Sequence, residues 1–291
     1  MREPIAGTID VGGISLGYWE WPGGAESNEA APLVFAHATG FHARVFDAII
    51  EHFPKRRVLS LDLRGHGRSE GGPVDSWAEI AGDIAAMMEQ LGLAGAVGIG
   101  HSMGAHAMLQ VAHDHPHAFR QLILFDPTVL APEFYTQGDA LFTADNPHPA
   151  IRRKRDFASV EAMMERFEDR EPYSLFAPRV FADYCQHGLV SAANGEGMEL
   201  ACSPEVEAGV YASSRSNAAI HQAASKVTIP VLVVRAKQTG VAGDFKSSPT
   251  WPDLASTISG ATDMYRPDRT HFHPLEDPDD AARIIAEAVQ H

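Results

Sequence analysis

An α/β fold, a mostly parallel sheet flanked by helices, is what this 291-residue sequence predicts. Three observations carry the prediction. The runs Leu33–Ala36, Val58–Leu61 and 96–100 are continuously apolar, as strands covered on both faces must be. A helix with a sharp start and stop lies between the second and third of them. The third run passes straight into Gly100-His101-Ser102-Met103-Gly104, a strand that turns at once into a helix.

Taken in order, residues 8–20 read as a hairpin that reverses at Gly12-Gly13. Ser76-x-x-Glu79 is a capping box, and Ile80, Ile84, Met87, Met88 and Leu91 recur at helical spacing until Gly92 stops them. Residues 121–125 give a further strand, ending at Asp126-Pro127. Residues 231–234 give another, and Met264-Tyr265 marks the last. The chain closes with a helix whose N-cap is Asp277 and whose first residue is Pro278. Ala281, Ile284, Ile285, Ala288 and Val289 lie on one face of it. The stretch 128–228 breaks the alternation: it is polar and helix-like, with no strong strand. It divides the chain into a core segment 1–127, an insertion 128–228 and a second core segment 229–291.

Bulk properties narrow the function. A formal net charge of −15 argues against nucleic acid and against docking on anionic membranes. No apolar run approaches the ~20 residues of a membrane span. Residues 1–21 lack the basic start and apolar stretch of a signal peptide. Cys185 and Cys202 make neither a disulfide framework nor a zinc spacing, so both are expected as reduced thiols in a cytoplasmic protein.

The pentapeptide is a nucleophile's address. A strand that re-enters a helix forces Ser102 onto a tight turn, and the positions two before and two after must be nearly free of side chain. The turn lifts Ser102 Oγ above the sheet edge, over a helix N-terminus whose N–H groups favour negative charge. Three further segments accompany it. Leu33–Ala36 leads into His37-Ala38-Thr39-Gly40-Phe41. Val58–Leu61 leads into Asp62-Leu63-Arg64-Gly65-His66-Gly67-Arg68-Ser69. Thr270-His271-Phe272-His273-Pro274-Leu275-Glu276 stands near the C-terminus. In this order the segments resemble the α/β-hydrolase superfamily, in particular its serine-nucleophile esterase- and lipase-like members with a helical cap. The resemblance covers nearly the whole chain except its middle. It implies an eight-stranded, mostly parallel sheet, with 128–228 as the cap between the sixth and seventh strands.

It also implies roles. Ser102 becomes the nucleophile and His271, singled out among fifteen histidines by its position and flanks, the general base. His273 is the alternative base. Backbone N–H groups of Thr39 and Met103 become the oxyanion hole, where Ala38 replaces the family's usual glycine. The acid is less direct. Its usual place beyond the seventh strand holds Lys237-Gln238-Thr239, which leaves two carboxylates. Asp126 ends the sixth strand, where certain dehalogenases of the superfamily carry their acid. Asp244 follows the seventh strand after a longer loop, at the usual spacing before the histidine. Asp126 is preferred, because a strand end fixes its position.

The expected activity is hydrolysis of a small-molecule ester or related acyl compound through a Ser-His-Asp triad and an acyl-enzyme, with no metal and no organic cofactor. The same residues also suit carbon–carbon bond hydrolysis, cofactor-free haloperoxidase or perhydrolase chemistry, or acyl transfer. A non-catalytic ligand-binding protein is the alternative from another class. A serine nucleophile argues against the dehalogenase and epoxide hydrolase mechanisms, which attack with aspartate.

Other features read as structural. Gly98-x-Gly100 lacks the third glycine of a dinucleotide loop, since Met103 stands there. His113-Asp114-His115-Pro116-His117 reads as a solvated helix end rather than a metal tract. The resemblance implies that Asp62, Arg64 and His66 buttress the strand end, while Arg152-Arg153-Lys154-Arg155 reads as the solvated face of a cap helix, with contact to an anionic substrate group as the alternative. Phe134, Tyr135, Phe142, Phe176, Tyr184 and Tyr211 read as the cap's own core, with lining of the site between cap and sheet edge as the alternative, so none is taken as a binding residue.

Overall fold

Gly12 and Gly13 take φ of 62° and 91°, and there the chain reverses between β1 (Ile5–Val11) and β2 (Ile14–Trp21). This hairpin starts an eight-stranded sheet in the computed structural model, which describes residues 2–24, 30–136, 142–143, 145–192, 195–241 and 243–290. Next come β3 (Leu33–Ala36), β4 (Val58–Leu61), β5 (Ala96–His101) and β6 (Phe119–Phe125). The insertion holds β7 (Asp156–Phe157), β8 (Leu189–Ser191) and β9 (Met198–Leu200), and the sheet resumes with β10 (Val231–Ala236) and β11 (Ala261–Arg266).

The order across the sheet is β1-β2-β4-β3-β5-β6-β10-β11. β2 runs antiparallel to β1 and β4, and every other neighbouring pair is parallel. β3, β4 and β5 are buried along their whole length, as their unbroken apolar sequence requires. Their side chains alternate between two layers. Val34 and Ala36 pack with the helices Trp77–Gln90 and Met103–Asp114, while Leu33 and Phe35 join the layer of the C-terminal helix Pro278–Ala288. The two predicted caps are present. Ser76 and Glu79 form the reciprocal box, and the Asp277 carboxylate accepts from the Asp280 N–H at 3.0 Å. No helix among the described residues is long and apolar enough to cross a membrane.

The insertion differs from its sequence reading in one respect. Besides the helices Val160–Phe167, Pro178–His187, Pro204–Ala212 and Ile220–Lys226 it holds a three-stranded antiparallel sheet, β7-β9-β8. Strands of two or three residues are too short to show a period of two, so alternation could not reveal them.

The joint between β5 and its helix depends on close approach. A Cβ on Gly104 would stand 2.3 Å from the carbonyl oxygen of Ala36. Gly104→Ala is therefore expected to cost on the order of 2–3 kcal/mol, read as a lower urea midpoint. Gly82, inside the Trp77–Gln90 helix, faces open space, and Gly82→Ala is expected to gain about 0.5–1 kcal/mol in the same assay.

Candidate active site

Two non-glycine residues among those described have positive φ: Ser102 at 55° and Asp126 at 46°. They follow neighbouring strands, β5 and β6, whose ends are in register at His101 and Phe125. The strain is held by the backbone around it. Ser102 N–H donates to Phe125 O at 3.0 Å, and Asp126 N–H donates to Val234 O at 2.7 Å.

His271, on the loop after β11, reaches both. Its Nε2 lies 3.0 Å from Ser102 Oγ and its Nδ1 lies 2.6 Å from Asp126 Oδ2. Because the carboxylate accepts, the proton sits on Nδ1 and the Nε2 lone pair faces the serine hydroxyl. The loop is pinned at the same residue. His271 N–H donates to Lys246 O at 2.9 Å, and His271 O accepts from His101 Nε2 at 2.8 Å.

Asp126 is 1% exposed, and a carboxylate buried that deeply is costly without donors. It has four. His271 Nδ1 serves Oδ2, while Ala236 N–H (2.9 Å), the Ser248 hydroxyl (2.5 Å) and, at 3.2 Å, the Thr250 hydroxyl, whose proton is shared with Pro127 O at 2.8 Å, serve Oδ1. Asp244, the alternative acid, is half-buried in the loop after β10, where its carboxylate accepts from Lys246 N–H at 3.0 Å. The carboxylate that meets His271 is that of Asp126. His273, the alternative base, is turned toward the C-terminal helix, with Nε2 2.9 Å from Asp280 Oδ2.

The loop after β3 is braced by buried histidines. His66 Nε2 accepts from Gly40 N–H at 3.0 Å, and His37 Nε2 accepts from Leu63 N–H at 3.0 Å. Asp62 accepts from Ala43 and Arg68 N–H groups, and Arg64 forks onto Asp83. The Asp62–His66 segment thus ties loops together, as its sequence suggested. The backbone N–H groups of Thr39 and Met103 have no acceptor among the described residues, and the Thr39 hydroxyl donates to Met103 Sδ at 3.3 Å.

Several residues escaped the sequence reading. Thr128 Oγ1 lies 3.0 Å from Ser102 Oγ. Behind it, His106 Nδ1 donates to Thr128 O at 2.9 Å, and Asn217 Nδ2 donates to both His106 Nε2 and Gln110 Oε1 at 3.1 Å. His106 and Gln110 are four apart on one helix, which puts them on one face; Thr128 and Asn217 carry no such mark.

Arg153 corrects an expectation. It stands in extended backbone after a short 3₁₀ turn, not on a helix. Its side chain is 15% exposed, paired with Glu207, and it donates to the Tyr184 hydroxyl at 2.8 Å. A Cβ on Gly40 would lie 2.8 Å from Glu207 Oε1, so this pair sits against the loop that carries Thr39. The small cavity beside it, lined by Gly40, Phe41, Arg153, Tyr184 and Cys202, measures about 10 Å³, room for about one water. Phe176 and Tyr184, which read first as core of the insertion, pack on Phe41, and Phe41 and Phe176 both pack on Phe272 next to His271.

Among the described residues one group has metal-ligand spacing: Asp47, Asp183 and His187. Arg44 already forks onto Asp47, and Arg179 Nε donates to both oxygens of Asp183. The His113–His117 tract is half-exposed to exposed, where the Met103–Asp114 helix ends.

A family profile described as alpha/beta hydrolase fold matches residues 31–278. The chain is 26% identical, over 90% of its own length and 89% of the relative's, to 2-(acetamidomethylene)succinate hydrolase of Mesorhizobium japonicum. It is 31% identical to the sn-1-specific diacylglycerol lipase ABHD11 of Danio rerio over 34% of its own length, a match spanning 32% of that protein. The crystal structure of E-2-(acetamidomethylene)succinate hydrolase superposes with a TM-score of 0.76 at 19% identity, covering 99% of this chain and all of the other.

Among the described residues six buried histidines set a pH dependence. Burial holds His42 and His101 down at about 3, His66 and His106 at about 4, and His37 well below the ordinary 6.5, and it lowers His273 as well. The unfolded chain takes up these protons as pH falls through 6.5, and the folded chain does so only lower down, at about 4 or below for His42, His66, His101 and His106. Stability is therefore lost on acidification through that window, by roughly 1 kcal/mol per pH unit for each ring. Asp47, Asp62 and Asp183, raised by burial, pull the other way, but they are three against six. The urea midpoint is expected to fall steadily from about pH 7 to about pH 5. A flat profile would contradict the buried neutral rings.

Proposed function

The chain belongs to the alpha/beta hydrolase fold family, and on that premise we propose that it is a serine hydrolase cleaving a small-molecule ester or related acyl compound. The observation that carries the proposal is the continuous hydrogen-bonded line from Ser102 Oγ through His271 to Asp126, at 3.0 and 2.6 Å. Geometry of this kind activates a hydroxyl that is otherwise a poor nucleophile.

His271 Nε2 takes the Ser102 proton as Oγ attacks the acyl carbon. The N–H groups of Thr39 and Met103, without an acceptor among the described residues, receive the oxyanion; such preorganised donors are worth on the order of 10²–10³ in rate each. Asp126 keeps the Nδ1–H tautomer and stabilises the imidazolium. When the tetrahedral species collapses, His271 gives its proton to the leaving group. A water then repeats the sequence on the acyl-enzyme and frees Ser102. No step requires a metal or an organic cofactor.

Residues 128–228 act as a cap in this reading, and Tyr184, Phe176 and Arg153 bring it against the loop of Thr39 and the ring of Phe272. Cys185 and Cys202, free and buried, fit the reducing cytoplasm. Likeness along 90% of the chain to a hydrolase of 2-(acetamidomethylene)succinate makes acetamido compounds the second substrate class to test beside esters.

With p-nitrophenyl esters of several chain lengths, Ser102→Ala is expected to abolish turnover. Asp126→Asn is expected to lower kcat on the order of 10³–10⁴-fold with little change in KM. Asp244→Asn is expected to stay within about twofold of wild type, as a surface change does. Full activity in Ser102→Ala would refute the serine mechanism. Collapse of the Asp244 variant with survival of the Asp126 variant would move the acid.

A further inference from the structure

We propose that Thr128 is a second catalytic hydroxyl, donating to Ser102 Oγ during formation and breakdown of the acyl-enzyme. The proposal rests on Ser102 being the nucleophile. It follows from the hydrogen-bond inventory of one oxygen. Ser102 Oγ has one proton and two lone pairs, and two partners at 3.0 Å: His271 Nε2 and Thr128 Oγ1. His271 Nε2 accepts, because its Nδ1 proton faces Asp126. The Ser102 proton therefore points to His271, and the Thr128 hydroxyl fills the remaining role by donating to Oγ.

Thr128 is held so that this donation persists. Its N–H donates to Ser102 O at 3.2 Å and its carbonyl accepts from His106 Nδ1 at 2.9 Å. His106 Nε2 is then the acceptor that Asn217 satisfies, and Asn217 is fixed in turn by Gln110. Burial lowers His106 to about 4, so the ring stays neutral and the direction of donation along the chain does not reverse near neutral pH. The edge of the Trp77–His106 ring pair, 5.1 Å between centroids, fixes the imidazole plane. One turn, Asp126-Pro127-Thr128, thus delivers both the acid to Nδ1 of His271 and a donor to the nucleophile.

The chemistry is that of a charge-assisted hydrogen bond. As the proton moves from Oγ to His271 Nε2 and the carbon–oxygen bond forms, negative charge develops on Oγ. A neutral donor at 3.0 Å strengthens as its acceptor becomes anionic. In deacylation the same atom is the leaving group. The carbon–Oγ bond breaks, His271 returns its proton to Oγ, and Thr128 again donates to the charge that appears there. Thr128 keeps its own proton throughout, so it stabilises charge and does not act as an acid.

The test compares Thr128→Val, which keeps the shape and removes the hydroxyl, with Thr128→Ser, which keeps the hydroxyl. Two rates are read: labelling of Ser102 by a fluorophosphonate, and kcat on the best p-nitrophenyl ester. Thr128→Val is expected to slow both by about 10- to 100-fold, the worth of one hydrogen bond to a charged group, with KM within about twofold. Thr128→Ser is expected to stay within about threefold of wild type in both. Labelling of Thr128→Val at the wild-type rate overturns the proposal and leaves the serine mechanism standing. Equal losses in Thr128→Ser and Thr128→Val overturn it too, because the methyl and not the hydroxyl would then matter. If wild-type Ser102 is not labelled at all, the serine mechanism falls and takes this inference with it.

Discussion

A carboxylate at the end of a buried strand has to be met by several donors at once, or the cost of removing it from water would unfold the strand end around it. Asp126 is met by four, drawn from three separate stretches of chain: Ala236 at the end of β10, Ser248 and Thr250 in the loop beyond, and His271 after β11. That convergence fixes the relative positions of β6, β10 and the histidine loop. It also explains why His271 can be placed without help from Asp244, whose carboxylate is spent on its own loop. The positive φ of Asp126 is the local strain that this arrangement sustains, and Ser102 beside it carries the matching strain.

The insertion is bound to this centre in two ways. Asn217 reaches back to His106 and so to Thr128, whose hydroxyl touches the serine. Arg153 and Glu207 form a nearly buried ion pair against the Gly40 loop, and Tyr184 and Phe176 cover Phe41. Burying an ion pair gives little net stability, and losing one partner leaves an unpaired buried charge. The pair therefore acts mainly by fixing where the insertion meets the core.

Much of the fold could be read in advance because it is written in period and punctuation. Continuous apolar runs marked β3, β4 and β5, a capping box marked the Trp77–Gln90 helix, and Asp277-Pro278 marked the last helix. Ser102 and His271 were visible for the same reason, since an elbow and a histidine loop are local patterns. What stayed hidden is what depends on distant pairing. A strand-end position alone favoured Asp126 over Asp244, and its hydrogen bond to His271 exists only once β6, β10 and the loop after β11 are laid together. Thr128, Asn217, Ser248 and Thr250 carry no local mark, and only tertiary contact turns them toward the site. Arg153 misled because four consecutive basic residues look like a solvated face, whereas Glu207 is fifty-four positions away in sequence. The strands of the insertion, two or three residues long, are too short to repeat the alternation that would have revealed them.

The central claim is that one short hydrogen bond, His271 Nδ1 to Asp126 Oδ2 at 2.6 Å, orients the base. Proton NMR of the far-downfield region tests it most directly, because an imidazole N–H held so closely by a carboxylate is deshielded and protected from exchange with water. The resonance is expected in wild type and in Asp244→Asn and absent in Asp126→Asn. Its persistence in Asp126→Asn, or its loss in Asp244→Asn, would contradict the account.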